Sequence, residues 1–219
     1  MKLARFVDEN AVPSNLTNVV APSKIVCVGR NYAEHAKELG NEAPTEPILF
    51  LKPPTAVIAP GGTIVRPRQS QRVDFEGELA IVISHRAKNI PRAQWRDVVL
   101  GFTCANDVTA RDLQKKDVQF TRGKSFDTFC PIGPEIETDL DPAALSLVTR
   151  VNGVVKQNGN TRDMIFKPDF LIEFITSVMT LCPGDVILTG TPSGVGPLVA
   201  GDEVEVEIEG IGTLRNHVA

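Results

Sequence analysis

The segment Val73–Ser84, VDFEGELAIVIS, constrains the fold of this chain more than any other segment. Its second half, LAIVI, is apolar and mostly β-branched, which predicts a strand buried on both faces. Its first half carries acidic residues at alternate positions, Asp74, Glu76 and Glu78. Side chains two residues apart in a strand point to the same face, so these carboxylates should lie together beside an apolar core.

Three carboxylates held this close repel one another, and burial makes their charged forms more costly. Arginines, shared protons or a divalent cation would each compensate, and a hard cation such as Mg²⁺, Mn²⁺ or Ca²⁺ prefers oxygen ligands of this kind. The spacing also fits a solvated strand end in which Gly77 marks a bulge, because Glu-x-Glu is common in strands. From the spacing alone the solvated strand end is the simpler interpretation, and the cation site stays open.

The composition excludes several classes of protein. The 219 residues suffice for one large domain or two small ones, and 42% hydrophobic and 23% charged residues are typical of a soluble globular protein. A net charge of −4 gives no support for a nucleic-acid or membrane partner. No apolar run approaches the ~20 residues of a membrane span. The first residues, MKLARFVDENAV, form neither a signal peptide nor a transit peptide, so we expect a cytoplasmic protein.

The cysteines do not indicate a metal site. They are far apart, lie in apolar contexts and form no C-x-x-C motif, and the three histidines are scattered as well. Buried free thiols in a reducing compartment are the simpler interpretation. The four cysteines are Cys27, Cys104, Cys130 and Cys182.

Short predicted strands with few helices, and no regular alternation of the two, predict an α+β or mainly-β domain rather than a doubly wound sheet. The clearest hairpin is Leu147–Gln157, in which two alternating runs flank Asn152-Gly153. The longest predicted helix is Pro168–Leu181. The chain has no internal repeat, low-complexity segment or linker long enough to divide it.

A short helix is predicted within Arg30–Gly40, RNYAEHAKELG, where Asn31 can cap the start and Gly40 the end. His35 and Glu38 are three residues apart and are therefore neighbours on the helix surface. A carboxylate beside an imidazole fixes its tautomer and raises its basicity, which suits a general base. A solvated, charged helix face fits the same residues and is the simpler interpretation of the pair alone.

Three further polar positions follow predicted strands. Asp107 ends the run LGFTCAND and could be a third cation ligand, but the spacing favours a cap for a short helix that begins at Val108. Lys124 lies in FTRGKS, which lacks the glycine of a Walker motif, so it is a lone cation or an ordinary surface lysine. The glycines of Gly190–Gly196, GTPSGVG, allow a ligand to approach the backbone, whereas Pro197 excludes a dinucleotide fingerprint.

Taken together, these segments resemble the fumarylacetoacetate hydrolase family. The match runs in the family's order through GRNYAEHAKEL, ILFLKP, DFEGELA, GFTCANDVTARD, TRGKSFDTFCPIGP, VNGVVKQNGNTRDMIF and LTGTPSGVG. The length is similar to that of compact members, the acylpyruvase and oxaloacetate-decarboxylase-like group. The resemblance implies an α+β fold, a mainly-β mixed sandwich or roll with few short helices. It further implies one catalytic domain over residues 1–219, in which residues 1–20 are a small N-terminal extension, and a homodimer.

The resemblance also implies a divalent cation, Mg²⁺ or Mn²⁺, held by three carboxylates. The matching positions are Glu76, Glu78 and Asp107, so the resemblance makes Asp107 a ligand rather than a cap. Asp74 is not carried over as a ligand.

Other matching positions imply roles in catalysis and substrate binding. His35 is the implied base, Glu38 orients it, and Lys124 contacts the substrate carboxylate or the developing oxyanion. The positions that match substrate-binding segments are Arg30, Tyr32 and Thr191.

The function that the resemblance implies is hydrolysis of a carbon–carbon bond in acylpyruvates, through an enolate of pyruvate that the cation stabilises. The same site could decarboxylate or tautomerise oxaloacetate. One alternative is an isomerase or decarboxylase of aromatic-catabolic intermediates such as 2-hydroxyhepta-2,4-diene-1,7-dioate. Another is a non-catalytic metal- or ligand-binding module. We expect a small 2-oxo acid as the substrate.

Overall fold

A computed structural model describes residues 21–219 of the chain. The predicted N-terminal extension, residues 1–20, lies outside the described residues. Strands predominate over helices in the described part, so the predicted α+β, mainly-β fold with few short helices is confirmed. No helix between residues 21 and 219 is both long enough and apolar enough to span a bilayer.

The regular elements are short. The strands are β1 Ile25–Gly29, β2 Ile48–Lys52, β3 Val57–Ile58, β4 Thr63–Ile64, β5 Val73–Phe75, β6 Gly77–Ile83, β7 Val99–Asn106, β8 Thr109–Ala110, β9 Cys130–Glu137, β10 Ser146–Val151, β11 Val154–Asn160, β12 Val186–Leu188, β13 Gly196–Leu198, β14 Glu203–Ile208 and β15 Gly212–Val218. The helices are α1 Ala33–Glu38, α2 Arg111–Lys116, α3 Thr121–Lys124 and α4 Pro168–Val178. Single 3-10 turns cover Pro54–Ala56, Arg92–Val98, Pro142–Ala144 and Thr161–Asp163.

Within residues 21–219 the strands form three sheets. The largest has the order β2-β1-β12-β6-β7-β9-β3, the second β11-β10-β14-β15-β4 and the smallest β13-β5-β8. Every residue of β6 is buried, as its apolar sequence predicts. Helix α4 covers one face of the large sheet with Leu171, Ile172 and Ile175, and the second sheet contributes Val206 and Ile208 to the same core.

The hairpin prediction is confirmed. Strands β10 and β11 are joined by Asn152 and Gly153, whose φ angles are 51° and 76°. Two consecutive residues with positive φ form the turn that matches the twist of paired strands.

The acidic segment is not one continuous strand. Strand β5 pairs with β8 and β13, whereas β6 pairs with β7 and β12, so the chain passes from one sheet to another at Glu76. Gly77 makes this passage possible, because the hydroxyl of Thr149 fills the space that a Cβ at position 77 would occupy. The glycine between the two glutamates is therefore required by the close approach of β10.

Asp185 ties the chain before β1 to the start of β12. Its buried carboxylate accepts hydrogen bonds from Ser23 N, Ser23 Oγ and Cys182 N at 2.9, 2.6 and 2.7 Å. It also accepts one from Lys24 N at 3.1 Å and pairs with the Lys24 ammonium. Burial opposes ionisation, but the bonds from Lys24 and Ser23 outweigh it and hold the pKa of Asp185 below its usual range.

We expect Asp185→Asn to destabilise the protein at pH 7 by about 2–3 kcal/mol, the range for hydrogen bonds to a charged group. A depressed folded-state pKa means that the stabilisation is present above the unfolded-state value of about 3.9 and is lost as the pH falls through the folded-state value. Urea unfolding should therefore show a difference in the free energy of unfolding between parent and variant that becomes smaller as the pH is lowered. The exposed residue Asp97 supplies the control, Asp97→Asn, and a pH-independent difference would contradict this account.

Candidate active site

A cavity of about 340 Å³ opens between helices α1, α2 and α3 and the ends of β6 and β7. This volume is at the small end of the range for ligand pockets, so it suits a small substrate. Seven of the nine site residues predicted from the sequence line this cavity: Arg30, His35, Glu76, Glu78, Asp107, Lys124 and Thr191.

Strand pairing brings the three predicted metal ligands together. Glu76 immediately precedes β6, Glu78 lies in β6, and Asp107 immediately follows the antiparallel neighbour β7. The Asp107 N–H donates to Glu76 O at 2.8 Å, which fixes the ends of the two strands relative to each other. Each residue offers one carboxylate oxygen, and these oxygens all lie within 4.8 Å of one another. The cap alternative for Asp107 is thereby excluded, since α2 begins after Ala110 with no side-chain cap.

Two buried lysines hold the carboxylate of Asp107. The Lys124 ammonium donates to Asp107 Oδ2 at 2.6 Å and to Glu76 Oε2 at 2.8 Å, while Lys52 pairs with Asp107 Oδ1. Burial opposes the charge on Lys124, but the negative charges of Asp107 and Glu76 outweigh it and raise the pKa of Lys124. Lys124 is therefore a buried ammonium in the site, and the surface-lysine alternative is excluded.

Arginines compensate the negative charge of Asp74 and Glu76 in the acidic segment. Arg111 Nε donates to Asp74 at 2.9 Å, and the same guanidinium pairs with Glu76. Arg72 Nε donates to the other oxygen of Asp74 at 2.8 Å. Burial opposes ionisation of Glu76, but Lys124 and Arg111 outweigh it and lower its pKa. Asp74 is thus held by two guanidinium groups and is not a cation ligand.

Glu78 differs from its neighbours because no cation among the described residues pairs with it. Its carboxylate accepts a hydrogen bond from Gly190 N at 2.6 Å. Burial, followed by the charges of Asp107 and Glu76, raises the pKa of Glu78 well above its usual range. The buried group of charges contains four carboxylates and three cations, listed here as Asp74, Glu76, Glu78, Asp107, Lys52, Arg111 and Lys124.

These residues fit a divalent cation. The three donors are carboxylate oxygens, which hard cations prefer, and one of them, Glu78, has no cation against it from residues 21–219. A divalent charge at the triad would turn the local excess of negative charge into an excess of positive charge. The arrangement would then attract an anionic substrate into the cavity.

Binding of Mn²⁺ should release a proton from Glu78. Below its raised pKa this carboxyl is protonated in the metal-free protein, whereas a ligand must be ionised, so Mn²⁺ affinity should rise with pH. Calorimetry in two buffers with different ionisation enthalpies measures the number of protons released. A Mn²⁺ affinity that does not change with pH, or Mn²⁺ binding without proton release, would contradict the assignment.

The predicted contact between the candidate general base, His35, and its orienting carboxylate, Glu38, is formed. His35 Nδ1 lies 3.2 Å from Glu38 Oε2, and the other oxygen of Glu38 accepts a hydrogen bond from Gly194 N at 3.0 Å. His35 is buried and lines the cavity, so the solvated-face alternative is excluded for this residue. This arrangement favours the neutral tautomer in which Nδ1 donates to the Glu38 carboxylate, and in that tautomer Nε2 is the basic nitrogen. Glu38 does not line the cavity and acts on it through His35.

Helix α1 is anchored by Asn31 in a way that the sequence did not predict. The helix begins after Tyr32, and Asn31 does not cap it. The Asn31 amide instead donates to Phe166 O and Thr189 O at 2.9 and 2.7 Å, and its oxygen accepts from Phe166 N at 2.7 Å. The cap prediction for Asn31 is therefore wrong, and the residue fixes the start of the helix against the core.

The residues with predicted substrate contacts differ in placement. Arg30 lines the cavity with a φ of 58°, which is uncommon for a residue other than glycine. Tyr32 is buried in the core and does not line the cavity. Thr191 lines the cavity, but its hydroxyl donates to Gly77 O at 2.8 Å and accepts from Gln157 Nε2 at 2.7 Å. With its proton engaged in this way, the hydroxyl of Thr191 cannot donate to a substrate carboxylate.

Sequence reasoning missed three buried polar residues that support the site. Lys52 and Arg111 pair with the carboxylates, and Gln157 holds Gly77 N at 3.0 Å and Thr191. A signal was present for Gln157, because a polar side chain occupies an inward position of an alternating hairpin strand. Lys52 directly follows the apolar run ILFL, which is a weaker signal.

Comparison with known proteins gives consistent similarities. The family model described as fumarylacetoacetate (FAA) hydrolase C-terminal matches residues 24–219. An uncharacterised protein of Methanocaldococcus jannaschii is 60% identical over 199 residues, covering 91% of this chain and 84% of that protein. The human protein named oxaloacetate tautomerase FAHD2A, mitochondrial, is 46% identical over 215 residues, covering 93% of this chain and 68% of that protein. The solved structure of a 2-hydroxyhepta-2,4-diene-1,7-dioate isomerase from Mycobacterium marinum is 52% identical with a TM-score of 0.86, and the match covers 91% of this chain and 75% of that chain.

Proposed function

The chain belongs to the fumarylacetoacetate hydrolase family, and on that premise we propose that it is a divalent-metal-dependent enzyme that forms enolates of small 2-oxo acids. One observation carries the proposal. The carboxylate triad, Lys124 and His35 all line one small cavity. This combination provides a base, a fixed cation and oxygen ligands within reach of one substrate.

The reaction that these residues support best is keto–enol tautomerisation of oxaloacetate. His35 Nε2 would take the proton from C3 of the keto form, and Glu38 would stabilise the imidazolium that results. The imidazolium would then return the proton to the enolate oxygen to give the enol. Lys124 would donate to the substrate carboxylate or to the enolate oxygen. A bound Mg²⁺ or Mn²⁺ would polarise the 2-oxo group and offset the negative charge that develops there. The human relative named as an oxaloacetate tautomerase supports this choice.

The size and charge of the site support a small dianion. A cavity of about 340 Å³ is large enough for a four-carbon dicarboxylate and lies at the small end of the range for ligand pockets. With a divalent cation at the triad, the buried cations Lys52, Arg111 and Lys124 would no longer be fully neutralised by carboxylates. One substrate carboxylate would neutralise this excess, and the second would return the site to the net negative charge that it carries without the cation.

Acylpyruvate hydrolysis is the second candidate, and apolar residues of the cavity favour it. Phe50, Phe120 and Leu39 line the cavity, and the two phenylalanine ring centroids are 5.6 Å apart. An apolar acyl chain could pack against these side chains. His35 would then deprotonate a water molecule that attacks the C4 carbonyl. Cleavage of the C3–C4 bond would release the acyl group as a carboxylic acid and leave the enolate of pyruvate, which the imidazolium would protonate at C3. The isomerase alternative is supported by the similar structure from Mycobacterium marinum.

A substrate panel tests these reactions against one another. Enol oxaloacetate, acetopyruvate and longer acylpyruvates are mixed with the protein in Mg²⁺, in Mn²⁺ and in EDTA. Enol absorbance and pyruvate release are then measured separately. We expect enol absorbance of oxaloacetate to relax much faster than pyruvate appears, and only with metal. Faster turnover of an acylpyruvate would favour hydrolysis, and no turnover of any compound would contradict the enzymatic proposal.

We also propose that the protein is a homodimer in the cytoplasm and has no nucleic-acid or membrane partner. The family resemblance supports the dimer, and the net charge of −4 supports the lack of an anionic partner. Light scattering should give twice the chain mass of 23.7 kDa, and a mass equal to one chain would contradict the dimer.

A further inference from the structure

The glycine loop, Gly190–Gly196, contacts both halves of the candidate site. The N–H of Gly190 donates to Glu78 at 2.6 Å, and the N–H of Gly194 donates to Glu38 at 3.0 Å. One short loop therefore supplies a backbone donor to a candidate metal ligand and another to the partner of the candidate base.

The Gly194 donor is held in place by its surroundings. Gly194 has a φ of 100°, which favours glycine, and the carbonyl oxygen of Lys156 occupies the space that a Cβ would need. Gln157 Nε2 donates to Pro192 O at 2.8 Å, and Thr191 Oγ1 donates to Gly77 O at 2.8 Å. These bonds attach the loop to β6 and β11, so the direction of the Gly194 N–H is set by the sheets.

The two oxygens of Glu38 have different partners. Oε1 accepts from Gly194 N, and Oε2 faces His35 Nδ1 at 3.2 Å. A donor fixed on one oxygen determines which atom of the side chain faces the imidazole. In the parent this atom is a carboxylate oxygen, which only accepts, so holding it against Nδ1 favours the tautomer with the proton on Nδ1.

We propose that the Gly194 N–H orients Glu38 and thereby keeps the proton of neutral His35 on Nδ1, with Nε2 free as the base. Gly194 and Glu38 are positioning residues in this arrangement, and His35 is the residue that meets the substrate. The catalytic consequence rests on the proposed function, whereas the tautomer of His35 does not.

The variant Glu38→Gln separates this proposal from a general structural role. The Gln oxygen must face the Gly194 N–H, because an amide NH₂ there would bring two donors together. The Gln NH₂ then faces Nδ1, which must become the acceptor, and the proton moves to Nε2. If Gly194 did not fix the side chain, the Gln amide would turn its oxygen to Nδ1 and the original tautomer would persist.

The direct measurement is ¹⁵N NMR of histidine-labelled protein at a pH where the imidazoles are neutral. The three histidines are His35, His85 and His217, and loss of signals in His35→Gln assigns the relevant pair. We expect the parent to show a protonated Nδ1 and Glu38→Gln a protonated Nε2. Glu38→Ala should show a mixture. The exposed Glu34 on the same helix supplies a matched control, Glu34→Gln, which should keep the parent tautomer.

Hydrogen exchange at Gly194 provides a second measurement that does not require the Gln variant to fold. Its amide should exchange at least about tenfold faster in Glu38→Ala than in the parent, because the Glu38 acceptor is gone. Equal exchange, or an unchanged His35 tautomer in Glu38→Gln, would overturn the proposal. Neither measurement requires catalytic turnover. A tautomer switch in a protein that is inactive on every 2-oxo acid would therefore reject the proposed function but support this inference.

Discussion

Glu78→Gln is expected to lower turnover by about 10³-fold or more and to abolish Mn²⁺ binding, while the metal-free protein keeps its stability. A metal ion that stabilises developing charge contributes several kcal/mol, and about 4 kcal/mol corresponds to 10³-fold in rate. Glu78 has no cation partner among the described residues, and its charge is opposed by burial and by Asp107 and Glu76. Gln keeps the shape and the acceptor for Gly190 N while it removes that unfavourable charge.

Glu76→Gln supplies the contrast. It should abolish Mn²⁺ binding as well, but it leaves Arg111 and Lys124 buried with one carboxylate fewer. Breaking such buried pairs costs about 3–5 kcal/mol, so this variant should unfold at much lower urea than Glu78→Gln. Calorimetric titration with Mn²⁺ and urea unfolding of the metal-free proteins measure both effects. Parent-like Mn²⁺ affinity in Glu78→Gln would remove this residue from the metal site.

His35→Ala is expected to lower tautomerisation of oxaloacetate by about 10²- to 10⁴-fold, the usual contribution of a general base. Any hydrolysis of acylpyruvates should fall by a similar factor, because a base must also deprotonate the attacking water. Mn²⁺ affinity should stay close to that of the parent, since His35 is not one of the triad. The measurements are stopped-flow enol absorbance and calorimetric titration of the same samples.

Decarboxylation of oxaloacetate separates the role of the base from that of the cation. Loss of CO₂ requires no proton abstraction from carbon, so residual pyruvate release should be much less affected in His35→Ala than tautomerisation. His85, an exposed histidine, supplies the matched control, His85→Ala, which should behave as the parent. Parent-like tautomerisation in His35→Ala would exclude His35 as the base.

The spacing of Glu76 and Glu78 predicted that the two carboxylates lie on one face, because alternation in strands is a local rule, but it favoured a solvated strand end, which the burial of both residues excludes. Of the three expected means of compensating their charge, Arg111 pairs with Glu76, the pKa of Glu78 is raised, and the triad fits the third, a divalent cation. The fold class and the Asn152-Gly153 hairpin were predictable for the same reason, since both depend on local patterns.

The buried basic partners were not predictable, because they come from distant parts of the chain. Lys52 is 55 residues from the Asp107 that it holds, and Gln157 is 80 residues from Gly77. No periodicity relates such positions, and only the order of strands in the sheets brings them together. The sheet change at Glu76 was missed for a related reason, because it depends on pairing partners rather than on the sequence VDFEGELAIVIS.

The most direct test of the central claim, that the site stabilises an enolate next to a divalent cation, is the inhibition constant of oxalate compared with that of pyruvate. Oxalate is planar and doubly charged and mimics the enolate of pyruvate, so a site that complements the transition state should bind it more tightly. With saturating Mg²⁺ we predict competitive inhibition by oxalate at concentrations at least about tenfold below those for pyruvate, and direct binding of oxalate that is lost in EDTA. Pyruvate that inhibits as well as oxalate, or oxalate that binds the EDTA-treated protein equally tightly, would contradict the claim.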